Sequence, residues 1–228
     1  MKTLCIDIGG TGIKAIVLDA KAKPLSERVR AVTPQPATPA AVLRVIVALV
    51  KQQPAFDRVS VGFPGVVRKG VTETAYNLHP RWVGVNLAKE LQKRLHKPVR
   101  VCNDADVQGF GVIKGRGEEM VITLGTGLGC ALFVNGVLVP NIELGHHPFH
   151  KSKSYEDLLG IAGLKKLGKK KWNKVLRKAI ATMEHLFNYD HLFIGGGNAK
   201  KIDGDLPPRV SVAPNIAGLL GGVKLWEQ

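Results

Sequence analysis

KTLCIDIGGTGIKAIVLD, residues 2–19, alternates apolar and polar positions, breaks at Gly9 and Gly10, and alternates again from Ile13. Period-two patterning on both sides of a glycine break reads as two strands joined in a hairpin. EEMVITLGTGLGCALFVNGVLV, residues 118–139, repeats the arrangement, with Gly125, Gly127 and Gly129 at its break. An internal echo of this kind predicts two related lobes whose glycine turns face each other across a cleft. Neither turn has the GxxxxGK[ST] spacing of a P-loop or the GxGxxG spacing that opens a dinucleotide-binding helix.

The segments around the two hairpins read as an α/β chain. Residues 27–32 suggest a third strand, and Pro34, Pro36 and Pro39 a stiff connector. Apolar periodicity over 40–52 predicts a helix; 59–65 and 98–104 read as strands, with a helix inside 82–95. A second lobe is expected to begin near Asp104, giving residues 1–103 and 104–214 as the two lobes. The C-terminal helix 215–228 is a candidate to complete the first. Within 171–187, Trp172, Val175, Leu176, Ala179, Ile180, Met183 and Phe187 form one helical stripe, while Lys170, Lys174 and Lys178 recur every four residues on another.

With 228 residues and 45% hydrophobic content, the chain is globular rather than disordered. Its three cysteines, Cys5, Cys102 and Cys130, are too few and too apolar in setting for a disulfide scaffold, and a cytoplasmic location is expected. No secretory leader and no apolar run of membrane-spanning length are read, so no membrane partner is expected. A formal net charge of +15 calls for polyanionic partners.

Several residues carry chemistry. Gly9, Gly10 and Gly12 with Thr11, and Gly125 and Gly127 with Thr126, can turn backbone N–H groups toward phosphate, since no Cβ obstructs approach; tight turns also require glycine for shape alone. Asp7 precedes the first turn by two residues. A carboxylate beside an anion site suggests Mg²⁺ held through oxygen, against a local Asx-type contact. Asp104 suits a base that takes a hydroxyl proton, with Asn103 beside it offering a donor and an acceptor. The same aspartate would equally cap a helix starting at 105. Glu143 and His146 could bracket sugar hydroxyls, and Glu156 is a further candidate. His146, His147, His150 and Cys130 could be drawn as a zinc set, but no paired-cysteine spacing accompanies them.

DIGGTGIKAIVLD, GFPG, NLHPRWVGVNLAKEL, NDAD, TLGTGLGCALFVNG, NIELGHHPF, FIGGG and PNIAGLLGG together resemble the successive signatures of the ROK family of sugar kinases, and within it the polyphosphate glucokinase branch. They follow the family's order from residue 7 to 222. The resemblance implies an α/β fold of the two-lobed actin-like ATPase and ribonuclease H type, with an interlobe active-site cleft for glucose and phosphoryl donor. It implies Asp104 as catalytic base, and Asn103, Glu143, His146, Glu156 and the backbone near Gly65 on the sugar. Gly9–Gly12 and Gly125–Gly127 would hold donor phosphates, with Gly195, Gly196 and Gly197 beside a nucleotide or further donor and Asp7 the Mg²⁺-associated carboxylate. No cysteine follows the Gly-His pair, so structural zinc is not expected. A homodimer is.

Residues 151–178 hold ten lysines and arginines against Glu156 and Asp157. Such a track fits a linear polyanion, because lysine acts as a mobile point charge; a merely solubilising face is the alternative. Polyphosphate is therefore the expected donor, ATP the second, with Lys170, Lys174 and Lys178 in contact with it. Nucleic acid is disfavoured, since only Tyr155 and Trp172 among the basic residues could stack on bases. A sugar-sensing regulator would need a DNA-binding element ahead of the first strand, which begins at residue 2, so none is expected.

Overall fold

The computed structural model describes residues 1–214 and 217–227, with side chains from 220 onward in the last helix. In chain order the first elements are β1 (Thr3–Ile8), β2 (Gly12–Leu18), β3 (Val29–Val32), α1 (Pro39–Val50), β4 (Arg58–Phe63), β5 (Val67–Arg68), β6 (Val71–Thr72), α2 (Leu87–Leu95), β7 (Val99–Asn103) and α3 (Asp104–Phe110). There follow β8 (Glu118–Leu124), β9 (Leu128–Val134), β10 (Val137–Val139), β11 (Pro148–His150), β12 (Lys153–Ser154), α4 (Tyr155–Leu159), α5 (Ile161–Phe187), β13 (His191–Gly195), β14 (Val210–Val212) and α6 (Ala217–Lys224).

Two compact units result, one of residues 1–111 with 216–228 and one of residues 112–215. The sequence predicts the division at 103/104. Helix α3 instead belongs with the first unit, because Val107 packs on α6 where Gly221 has no side chain to hold them apart. Of the expected closing helix, residues 217–224 are helical, while 215, 216 and 228 lie outside the described residues.

The first unit's sheet runs β3-β2-β1-β4-β7, antiparallel through β1 and parallel from β1 to β7. Alternation sends Leu4, Ile6 and Ile8 into a core with Val42, Leu43 and Ile46 of α1 and Leu87 and Leu91 of α2. Cys5, Ile16 and Leu18 point the other way, against Val223 of α6. Arg58 and Arg100 stack on Trp226 at 5.1 and 4.7 Å, and Trp226 donates to Ser60 Oγ at 2.8 Å, fastening the end of the chain to β4 and β7.

The second unit's sheet runs β10-β9-β8-β13-β14 with the same sense at every step: two antiparallel pairings, then two parallel. The echo in the sequence is thus an echo of topology, since β1–β2 and β8–β9 occupy corresponding places in their sheets. Met120, Ile122 and Leu124 of β8 pack on Trp172, Leu176, Ala179, Ile180 and Met183 of α5. That helix starts ten residues before the predicted stripe and breaks at Gly168, where φ of 72° and ψ of 158° leave the helical region. Val175 and Phe187 lie at the margin of this core rather than inside it.

Candidate functional site

In the first unit, the turn between β1 and β2 closes with Gly9 N–H donating to Gly12 C=O at 3.0 Å, while Thr33 Oγ1 donates to Gly9 C=O at 2.6 Å. Gly10 sits against Asn77, where a Cβ would lie 3.1 Å from the backbone oxygen. Thr11 is exposed at the tip. Asp7 Oδ2 accepts from Lys14 Nζ at 2.7 Å across the hairpin, so its nearest partner is a lysine rather than local backbone.

At the same end of this sheet, where the parallel strands β1, β4 and β7 all finish, β7 runs directly into α3. The helix starts at Asp104, not 105, and Asn103 is its cap: Asn103 Oδ1 accepts from the N–H groups of Ala105 and Asp106 at 2.8 and 3.3 Å. Its Nδ2 donates to the Gly65 carbonyl at 3.2 Å. Asn103 is consequently 8% exposed and locked from both sides, with Asp104 half-buried as the first helical residue. The Ala105 N–H also lies 2.9 Å from Asp104 Oδ1, orienting that carboxylate. The capping role open to Asp104 in the sequence therefore falls to its neighbour. Gly65 is confined by the Thr74 backbone, which a Cβ would strike.

The second unit gathers more of the singled-out residues. Its turn closes with Gly125 N–H donating to Gly127 C=O at 3.0 Å. Three elements hold it. The first residue of α5, Ile161, donates its N–H to the carbonyls of Gly125 and Thr126 at 3.0 and 3.2 Å. Asn198, one residue past Gly195–Gly197, donates from Nδ2 to Gly125 C=O at 2.8 Å and from its N–H to Leu124 C=O at 2.9 Å. Glu156 Oε2 accepts from Leu128 N–H at 3.1 Å. Gly196, with φ of +86°, lies so close to Leu124 that a side chain would strike its backbone. Asn198 carried no signal in the sequence beyond following three glycines.

Glu143 and His146 belong to the same cluster. They bracket a 3₁₀ turn over Leu144–His146, with His146 Nε2 3.5 Å from Glu143 Oε2. Gly145 packs on the Leu128 carbonyl, where a Cβ has no room. Burial, above all, pushes the Glu143 carboxyl above its ordinary range; His146 opposes the shift and Glu156 adds to it. The unit thus joins Glu143, His146 and Glu156 to one glycine turn.

Lys170, Lys174 and Lys178 are exposed along α5, opposite its buried face. Among the described residues no three His, Cys, Asp or Glu side chains converge as a metal cage, and no helix is long and apolar enough to cross a membrane. The cysteines are unbridged, and burial pushes the Cys5 thiol up to about 12 and Cys102 higher still, so neither serves as a thiolate. A groove of about 410 Å³ along α1 is lined by Ala40, Leu43, Arg44, Val47 and Arg94, none of them a residue singled out in the sequence.

Residues 3–154 match the family model of the ROK family. Over 95% of this chain and 88% of the other, the sequence is 33% identical to a polyphosphate glucokinase of Mycobacterium tuberculosis (strain CDC 1551 / Oshkosh). The crystal structure of an inorganic polyphosphate/ATP-glucomannokinase from Arthrobacter sp. strain KM superposes with a TM-score of 0.89 at 34% identity, covering 98% of this chain and 97% of that one. A ROK family glucokinase from Streptomyces griseus, solved with glucose and AMPPNP, shares the fold at a TM-score of 0.84 and 22% identity, over 99% of each chain.

Proposed function

This chain belongs to the ROK family and is a sugar kinase of it, and from that premise we propose that it transfers a phosphoryl group from inorganic polyphosphate, or from ATP, to the 6-hydroxyl of glucose. The observation that carries the reading is the lock on Asn103. With the cap and the Gly65 contact both satisfied by this asparagine, Asp104 is held at a defined place at the head of α3.

In this proposal Asp104 orients the attacking hydroxyl of the sugar and takes its proton as the bond to phosphorus forms. Asn103, Glu143, His146 and Glu156 hold the remaining hydroxyls. The turns at 9–12 and 125–127 offer N–H groups to the donor's phosphate oxygens, and the Gly195–Gly197 turn lies beside the second of them.

The first turn fits a magnesium ion. Lys14 engages Oδ2 of Asp7, leaving Oδ1, and Mg²⁺ needs only one or two carboxylates when waters and substrate phosphates complete its shell. When bound, it would neutralise charge on the donor's phosphates. The unbridged thiols support a reducing, cytoplasmic setting.

A donor and sugar matrix tests the whole reading: polyphosphate and ATP, each against glucose and mannose, with purified protein. Glucose 6-phosphate formed from polyphosphate is the expected result; turnover with ATP alone removes the polyphosphate assignment, and no turnover with any pair removes the kinase.

A further inference from the structure

Arg30 lies over Gly12, where β2 leaves the first glycine turn. In the antiparallel register of β2 and β3, Gly12 pairs with Val32 and Lys14 with Arg30, and Lys14 pairs in turn with Asp7 of β1. Asp7, Lys14 and Arg30 thus form a row of three charges on one face of the sheet, next to the turn. The Arg30 side chain leans diagonally along that face, so that its Nε and Nη2 lie 2.8 and 3.0 Å from where a Cβ on Gly12 would stand. Gly12 belongs to β2 and has no positive φ. It is glycine to make room for the guanidinium, not to bend the backbone.

The charges in this row do not balance. Lys14 takes Asp7 at 2.7 Å, and among the described residues Arg30 has neither an ion-pair nor a hydrogen-bond partner. Like charges directly opposite on neighbouring strands are destabilising. Nor is β3 loose beside the turn, because Thr33, 2% exposed, donates to Gly9 C=O at 2.6 Å. Two cations are therefore set side by side with one carboxylate to offset them, and Arg30 is exposed to a ligand.

We propose that Arg30, with Lys14 beside it, clamps the phosphoryl donor at this turn. The proposal rests on the donor reading above and adds a side chain to it: a planar fork of N–H groups that matches two phosphate oxygens at once. Lys14 contributes a point charge shared with Asp7. Because the clamp sits at the turn, it acts on whichever phosphates the turn receives, those of ATP and of polyphosphate alike.

The test combines Arg30→Gln, Arg30→Lys, Gly12→Ala and the double variant Gly12→Ala/Arg30→Gln. Two quantities are read for each: kcat/KM with tripolyphosphate, long-chain polyphosphate and ATP at saturating glucose, and the rise in Tm that tripolyphosphate gives without glucose. Arg30→Gln should lower kcat/KM by about 10- to 100-fold, the scale of lost hydrogen bonds to a charged group, and by the same factor for each donor the wild-type protein uses. Its ligand-free Tm should equal or exceed that of wild type, since a repulsion is relieved, while the rise with tripolyphosphate shrinks. Arg30→Lys keeps the charge without the fork and should fall between. Gly12→Ala keeps the N–H but puts a methyl where the guanidinium lies, so it should reproduce the Arg30→Gln loss and add little to it in the double variant.

Unchanged kcat/KM in Arg30→Gln overturns the clamp. So does a lowered ligand-free Tm with an undiminished response to tripolyphosphate, which would make Arg30 a structural residue. Fully additive losses in the double variant overturn it as well, because Gly12 would then act without Arg30. A wild-type protein that neither turns over nor gains Tm with any of the three donors instead removes the donor reading, and the clamp with it.

Discussion

Glu156 Oε2 sits 3.1 Å from Leu128 N and occupies the space a side chain on Gly127 would need. One carboxylate thereby fixes the shape of the glycine turn while standing beside Glu143, a candidate sugar ligand. Removing it should be felt by both substrates. Glu156→Ala is expected to raise KM for glucose and for donor together by about tenfold or more, the scale of a lost hydrogen bond to a charged group. Glu156→Gln, whose amide oxygen can still accept from Leu128, should recover the donor KM and leave the glucose KM high. Recovery of neither, or of both, would detach the residue from the turn.

Gly127→Ala should act through the same contact. The added methyl meets the far end of a flexible side chain, so Glu156 can swing away and lose Leu128. The kinetic phenotype should resemble Glu156→Ala, and the double variant should be little worse than either single one. Additive losses would show that the two residues act separately.

Gly196→Ala makes the contrasting case. There a side chain strikes the Leu124 backbone at a φ of +86°, and neither can yield cheaply. A destabilisation of roughly 3 kcal/mol or more is expected, a Tm drop of at least about 6 °C in thermal unfolding. A stable variant would mean that the turn has an alternative conformation.

Asp104→Ala should lower kcat by roughly 10² to 10⁴ while leaving the circular dichroism spectrum and Tm close to wild type, because Asn103 keeps the cap. Turnover near the wild-type rate would reject it as the base.

Glu143 sets a pH dependence whose sign follows from burial. A carboxyl with a raised folded-state pKa holds its proton more tightly folded than unfolded. Its stabilisation is present below the ordinary carboxylate range and lost as pH rises through the raised value. Glu143→Gln should therefore raise Tm at pH 7 by about 1–3 °C, with the gain disappearing near pH 4. A lower Tm at pH 7 would contradict the burial argument.

The two strand–turn–strand repeats were legible because alternation and glycine breaks are local signals, and the sheets bear them out register by register. The cap at Asn103 was not. Asparagine and aspartate stand side by side and both cap well; a carbonyl at Gly65, remote in sequence, decides between them. Glu156 read only as a further hydroxyl candidate, since nothing local signals a contact with Leu128. The place of α3 was hidden for a similar reason: its packing partner, α6, arrives from the far end of the chain.

That arrival has a consequence for biosynthesis. Cys5, Ile16 and Leu18 are covered by Val223, and Ser60 donates to Gly222 C=O at 2.5 Å. A nascent polypeptide leaving the ribosome must therefore present one side of its earliest sheet uncovered while everything up to α6 is translated, whereas residues 112–215 hold their partners within one continuous span. During synthesis the later segment can settle before the earlier one, and the exposed face of β1 and β2 is where a chaperone would find its grip.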